Sequence, residues 1–340
     1  AGQIMYYKED KKGQILEEGI NEAGAMSAWI AAATAYSNSN CPMIPFYVFY
    51  SMFGFQRIGD LAWAAGDMQA RGFLIGATAG RTTLNGEGLQ HQDGHSHLLA
   101  HTIPNCKSYD PTYSFELAVI IQDGLKRMYQ DEENCFYYIT TMNENYVHPD
   151  MPVGAEEGIV KGLYQLKAGK KTKASEPRVQ LMGSGTILRE VEAAADILRE
   201  DYGVESDIWS VTSVNELVRE ANECDRVNMI NPEKEEQVPY ISQTLKGKKG
   251  PFVLATDYIK AYGEQLRAYI PGAYKVLGTD GFGRSDTRKK LRQYFEVSRE
   301  FVVLAALDEL AKDGKFAKED LVKARAALGI SEDKVNPLNH

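Results

Sequence analysis

The residues in this sequence that could do chemistry begin with one carboxylate. Glu22 closes the stretch Glu17-Glu18-Gly19-Ile20-Asn21-Glu22 and stands at the mouth of an Ala-rich run, Ala23 to Ala35. Two readings of it stay open. A first-turn acid complements the positive end of a helix dipole, worth roughly 0.3–1 kcal/mol. A carboxylate aimed into an apolar pocket is instead desolvated, its pKa rises, and it can pass a proton near neutral pH. Histidine is the second signal. Four of the six, His91, His95, His97 and His101, share one short stretch with Asp93. Zinc suits imidazole and carboxylate, but Gly94 and Ser96 break any regular ligand face, and substrate contact or acid–base work fits better. The aromatic block Tyr47 to Phe55 is ordinary core material, although its end, Tyr50-Ser51-Met52-Phe53, could stack a planar ligand.

Two glycine turns follow strand-like runs. Gly183-Ser184-Gly185 lacks the third glycine of a dinucleotide loop and any following Gly-Lys-Ser/Thr, so a tight strand-to-helix turn is the simpler reading. Gly278 to Asp286 sits at a strand end, where open α/β sheets place ligands, or serves as a turn with Ser285 capping the next helix. No Gly-x-Ser-x-Gly elbow occurs, and no cysteine has an activating context.

Positioning these groups requires alternating helices and strands. Apolar runs at Met43–Tyr50, Phe73–Thr78 and Phe136–Thr141 predict strands, the first buried on both faces. Between them, helical spacing of Ile58, Leu61, Ala62, Ala65 and Met68, and of Leu117, Ile120, Ile121 and Met128, predicts helices, with Ser114 available as a cap. The Gly-rich segment Gly80–Ser96 is too long for an ordinary connection, so it is functional or disordered. The basic segment Lys167–Pro177 reads as a linker. Beyond it the pattern restarts: strands at Val179–Gly183, Ser206–Val211, Phe252–Thr256 and Lys275–Gly278, with helices at 187–202, 215–221, 286–295, 298–312 and 317–328. The fold class is α/β in two consecutive domains, 1–166 and 178–340, joined by 167–177.

The 340 residues carry a formal net charge of −9, which argues against nucleic acid and gives no support to an anionic membrane. No apolar run reaches the ~20 residues that span a bilayer. The opening residues lack a secretory signal, and Cys41, Cys106, Cys135 and Cys224 have no paired spacing, which suits a reducing cytoplasm. The start at Ala1 is consistent with processing or truncation.

Four blocks together resemble one family. They are Glu18–Glu22, Phe49–Arg57, Gly80–His97 and Gly278–Asp286, and the similarity runs essentially from end to end. The family is the homodimeric, bacterial type of pyruvate dehydrogenase first component, a thiamine-diphosphate enzyme related to transketolase. Its members have a diphosphate-binding domain, a pyrimidine-binding domain and a C-terminal domain. The resemblance implies that this chain is the second and third of these, a pyrimidine-type parallel-sheet domain and a transketolase C-terminal-like domain. The family's Gly-Asp-Gly diphosphate motif does not occur here, so Mg2+ ligands are expected in the missing domain and none in this chain.

Carried over residue by residue, Glu22 matches the glutamate that hydrogen-bonds N1′ of the aminopyrimidine and helps its exocyclic nitrogen take the thiazolium C2 proton. Ile20 matches the apolar residue supporting the bent cofactor. Tyr50 and Phe53 match the pyrimidine's aromatic pocket, Arg57 a basic residue beside it, and His91 a histidine facing the substrate-derived adduct. The implied reaction is oxidative decarboxylation of pyruvate, with the acetyl unit passed to a lipoyl group on the complex's dihydrolipoyl acetyltransferase. The implied assembly is a cytoplasmic homodimer. The alternatives are a 2-oxoglutarate-specific relative, a transketolase, or a non-catalytic pyrimidine/C-terminal module that is inactive without the diphosphate-binding domain. The C-terminal domain is expected to be structural and interface-forming rather than chemical.

Overall fold

In the computed structural model, which describes residues 8–340 apart from 172, 174 and 175, two sheets follow one another along the chain. The opening segment 1–7 and three positions of the expected linker therefore lie outside the described residues. The first sheet holds β1 (Phe46–Phe49), β2 (Phe73–Ala77), β3 (Cys106–Tyr109) and β4 (Phe136–Thr141), all parallel, in the order β1-β2-β4-β3. The second holds β5 (Leu163–Lys167), β6 (Arg178–Gly183), β7 (Glu205–Val211), β8 (Phe252–Ala255) and β9 (Tyr274–Leu277), in the order β5-β7-β6-β8-β9. Only β5 runs antiparallel there. Parallel strands need crossover connections, which the intervening helices supply.

The helix Glu22–Ala33 starts where Asn21 caps it, its side chain accepting the Gly24 amide at 3.1 Å. Met26, Trp29 and Ala33 form its buried stripe, and Trp29 Nε1 donates to the Pro45 and Phe73 carbonyls, both at 3.2 Å. The helix Gly54–Asp67 packs beside it. Gly54 is required at its start, since a Cβ there would overlap the Phe49 ring.

Several expectations need correction. β1 is not buried on both faces: it is the sheet's edge, and alternate residues Phe46 and Val48 are 49% and 61% exposed. The chain changes sheets before residue 163, ahead of the segment 167–177, because β5 pairs with β7. The first residue of the helix Ser114–Leu125 is Ser114 itself, and Glu116 turns back to accept the Thr112 and Tyr113 amides. Thr287, not Ser285, caps Arg288–Tyr294.

The sheets meet along a buried polar seam. Asp110, just past β3, takes hydrogen bonds from Thr140 Oγ1 at 2.7 Å and from the Tyr258 hydroxyl at 3.2 Å. Thr140 Oγ1 also meets His97 Nε2 at 3.0 Å. The Gly183-Ser184-Gly185 turn abuts this seam, with the Gly185 carbonyl accepting Thr112 Oγ1 at 2.6 Å. Its role is a contact between sheets. Glu116 accepts Tyr164 and Ser210 hydroxyls from the second sheet, both at 2.6 Å. Arg292 joins Glu144 to Glu190, which also binds Arg299.

Burial pushes the Asp110 carboxyl up to about 7 and the His97 imidazole down to about 4, the latter partly opposed by Asp93. The signs are opposite. Asp110 contributes stability that is full below about pH 4 and is lost as pH rises through about 7. His97 contributes stability present above about pH 6.5 and lost as pH falls towards 4. Asp110→Asn should therefore gain stability relative to the wild type between about pH 4 and 7, measured by denaturant unfolding; a pH-independent difference would contradict the assignment.

Candidate functional site

Five of the six residues singled out by resemblance form one continuous run in space. Glu22, on the first turn of its helix, receives Arg57 Nη1 on Oε1 at 2.6 Å, its side chain 18% exposed. Arg57 comes from the neighbouring helix Gly54–Asp67, and its guanidinium lies 4.2 Å from the centre of the Phe53 ring. Such a cation over an aromatic face is attracted by the ring quadrupole. Phe53 meets His91 at 5.0 Å between ring centres, and Tyr50 meets His91 at 5.2 Å and Phe53 at 6.2 Å. All three contacts are edge-to-face, the geometry that quadrupoles favour.

The elements dictate this meeting. Tyr50 to Phe53 is the turn between β1 and the helix that carries Arg57. That helix packs on the one led by Glu22, so ends far apart in sequence share one rim. Ile20 stands apart: it precedes the helix, and its side chain is 97% exposed.

Tyr47 belongs to the same rim. Its hydroxyl is pushed up to about 12, first by burial and then by Glu22 and Glu18. The apolar alternation of β1 hid that proximity. Glu22 is a first-turn acid of its helix, and the Arg57 cation pairs with its carboxylate.

The histidines that cluster in sequence separate in space. His91 lies on the 3₁₀ turn Leu89–His91 against the aromatic pair. His97 is fully buried among Tyr138, Tyr258 and Tyr262. Burial, and then the nearby Arg219, lowers the pKa of His101. Asp93 caps the chain beyond His91, accepting the His95 and Ser96 amides at 2.9 Å and the Ser96 hydroxyl. Among the described residues no group of three or more His, Cys, Asp and Glu is placed to hold a metal ion.

The long Gly80–Ser96 segment is ordered by the second domain. Buried Asp257 takes the Thr82 amide and hydroxyl at 2.9 and 2.7 Å, and the Thr83 amide and hydroxyl at 3.2 and 2.9 Å. Arg81 donates to the Thr279 carbonyl at 2.6 Å and to that of Gly281. Neither Asp257 nor its loop partners has a signal in local sequence, because the pairing spans about half the chain.

Residues 1–149 match the pyruvate dehydrogenase E1 component middle domain, and residues 162–298 the transketolase-like C-terminal domain. The chain is 62% identical to the pyruvate dehydrogenase E1 component of Pseudomonas aeruginosa over 99% of its own length and 38% of that protein. It is 61% identical to that of Escherichia coli K12 over 98% of its length and 37% of that protein. It thus spans well under half the length of these relatives. Among solved structures, transketolase from Campylobacter jejuni matches with TM-score 0.60 at 18% identity, covering 82% of this chain and 38% of that one. A protein described as a split gene transketolase, inactive beta4 tetramer, matches with TM-score 0.60 at 17% identity, covering 86% and 83%. These show the shared fold.

Asp257→Ala would leave four donors of Thr82 and Thr83 without their acceptor. It should cost about 3 kcal/mol or more and open Gly80–Ser96 to limited proteolysis. Wild-type resistance of that segment would contradict the clamp.

Proposed function

The chain belongs to the pyruvate dehydrogenase E1 component family, and on that premise we propose that it supplies the pyrimidine-facing half of a thiamine-diphosphate site. The observation that carries this is the Glu22–Arg57–Phe53–His91–Tyr50 run: a carboxylate beside an open aromatic wall. The donor set fits a flat heterocycle with a basic ring nitrogen. Arg57 occupies Oε1 of Glu22, and among the described residues the carboxylate makes no second hydrogen bond. Tyr50 is 41% exposed, so the wall is accessible.

Thiamine diphosphate, when bound, supplies the nucleophilic carbon and the electron sink for loss of CO2 from the 2-oxo acid. The roles of this chain's residues follow. Glu22 holds the proton at N1′ of the aminopyrimidine. Arg57 fixes the orientation of that carboxylate and is itself held on the Phe53 ring. Tyr50 and Phe53 exclude water from the ring faces. His91 presents its imidazole to the substrate side. Ile20 is the apolar support under the cofactor, and covering its exposed side chain adds a stabilisation of about 1.5–3 kcal/mol.

The substrate we assign is pyruvate, with reductive acetylation of a lipoyl group on the dihydrolipoyl acetyltransferase, in a cytoplasmic homodimer. Names and identity of the relatives support that reading over a 2-oxoglutarate enzyme or a transketolase. The relatives are more than twice as long as this chain. That supports placing Mg2+ and the diphosphate on a diphosphate-binding domain outside this chain's residues, without which this chain is an inactive module.

In the full-length enzyme, Glu22→Gln should slow proton exchange at the cofactor's C2, followed by NMR, by about 10²-fold or more, with circular dichroism unchanged. Exchange at the wild-type rate would remove Glu22 from the role. Turnover of pyruvate should exceed that of 2-oxoglutarate; the reverse preference would overturn the substrate assignment.

A further inference from the structure

His91 stands on a three-residue 3₁₀ turn, an element too short to hold a side chain by itself. Its own ties are local: the His91 amide donates to the Gly88 carbonyl at 2.9 Å, and ring Nδ1 lies 3.3 Å from the same oxygen. One side of the turn faces Tyr50 and Phe53. The other side is packed by a loop of the second domain.

That loop is Gly281–Asp286, and Gln92 is its counterpart. Gln92 is 1% exposed, and its amide is matched to the backbone of Arg284: Nε2 donates to the Arg284 carbonyl at 2.7 Å, and Oε1 accepts the Arg284 amide at 2.8 Å. The same Nε2 donates to the Leu84 carbonyl at 2.9 Å. Gly283 closes the contact, because a Cβ there would overlap the Leu89 carbonyl oxygen and press on Gln92. The Gly86 amide donates to the Asp286 carbonyl at 3.1 Å, and Arg288 Nε to the Thr83 carbonyl at 2.7 Å. Arg284 is tethered in turn, its guanidinium donating to the His340 carbonyl.

We propose that Gln92 and the Gly281–Asp286 loop form a positioning device through which the C-terminal domain sets the His91 imidazole against the aromatic wall. Gln92 is buried with its amide spent on backbone groups, so it acts through the residue beside it. The inference rests on the role given to His91 above. It amends the expectation that the C-terminal domain is only structural and interface-forming, since that domain's backbone decides where a site residue stands.

The test uses the full-length enzyme with pyruvate. Gln92→Ala and Gly283→Ala should each lower kcat by about 10- to 100-fold, the penalty of about an ångström of misplacement, with cofactor affinity near wild type, measured below the thermal midpoints that the lost buried hydrogen bonds and the Cβ overlap themselves lower. In a His91→Ala background the same substitutions should cost less than about twofold, because the group they position is gone. A second readout is independent of turnover. The ¹³Cε1 resonance of His91, identified by its loss in His91→Ala, should shift in both variants. Full multiplicative loss in the double variants, or an unmoved resonance, would overturn the inference. If His91→Ala itself turns over like wild type, the catalytic reading of His91 fails; the resonance then decides the positioning claim alone, kept by a shift and overturned by none.

Discussion

A carboxylate removed from water must be given donors or it destabilises the fold, and Asp257 obtains four of them from Thr82 and Thr83. This one requirement ties the second sheet to the segment that carries His91. It explains how seventeen residues with little apolar content stay ordered: Gly80 to Leu84 are buried against the other domain, with Arg81 reaching the Thr279 and Gly281 carbonyls. The seam around Asp110, Thr140 and His97 continues the same logic, polar groups being paired where two sheets meet. Its two titrating members have opposite pH slopes, so the wild-type profile partly conceals both.

The candidate site follows from that order. A half-exposed rim with an Arg-held carboxylate and three edge-to-face rings is the surface that the proposed flat cofactor ring would meet. An exposed salt bridge contributes little to stability, so the value of Glu22–Arg57 lies in orientation. The cation–π contact with Phe53 supports the same view, because it fixes the guanidinium from a second direction.

Periodicity made the central strands and long helices legible in the sequence, since β2, β4 and β6 to β8 are short apolar runs with sheet on both sides, and the edge strand β9 is apolar as well. It missed β3, whose Lys107 and Ser108 dilute the apolar signal, and β5, an antiparallel edge of the second sheet. β1 misled for a different reason: aromatic residues do not say which face a neighbour will cover, and Phe46 and Val48 face outward. Short helices such as Ser96–His101 and Glu156–Lys161 carry too few turns for a pattern. Within the site, Glu22 and His91 were visible as residue types, but Glu22 meets Arg57 across 35 positions and Gln92 meets Arg284 across 192. No local signal encodes such distances. The aromatic run already marked Tyr50 and Phe53, and the family resemblance added Arg57; the fold shows why they share a rim, and adds Tyr47, Asp257 and Gln92.

The proposed site is complete only when this chain's half meets a diphosphate-binding half. Calorimetric titration of thiamine diphosphate with Mg2+ tests that most directly, run on this chain alone and on the full-length polypeptide. The prediction is saturable binding by the full-length polypeptide and none by this chain alone. Tight binding by the isolated chain, accompanied by turnover of pyruvate, would contradict it.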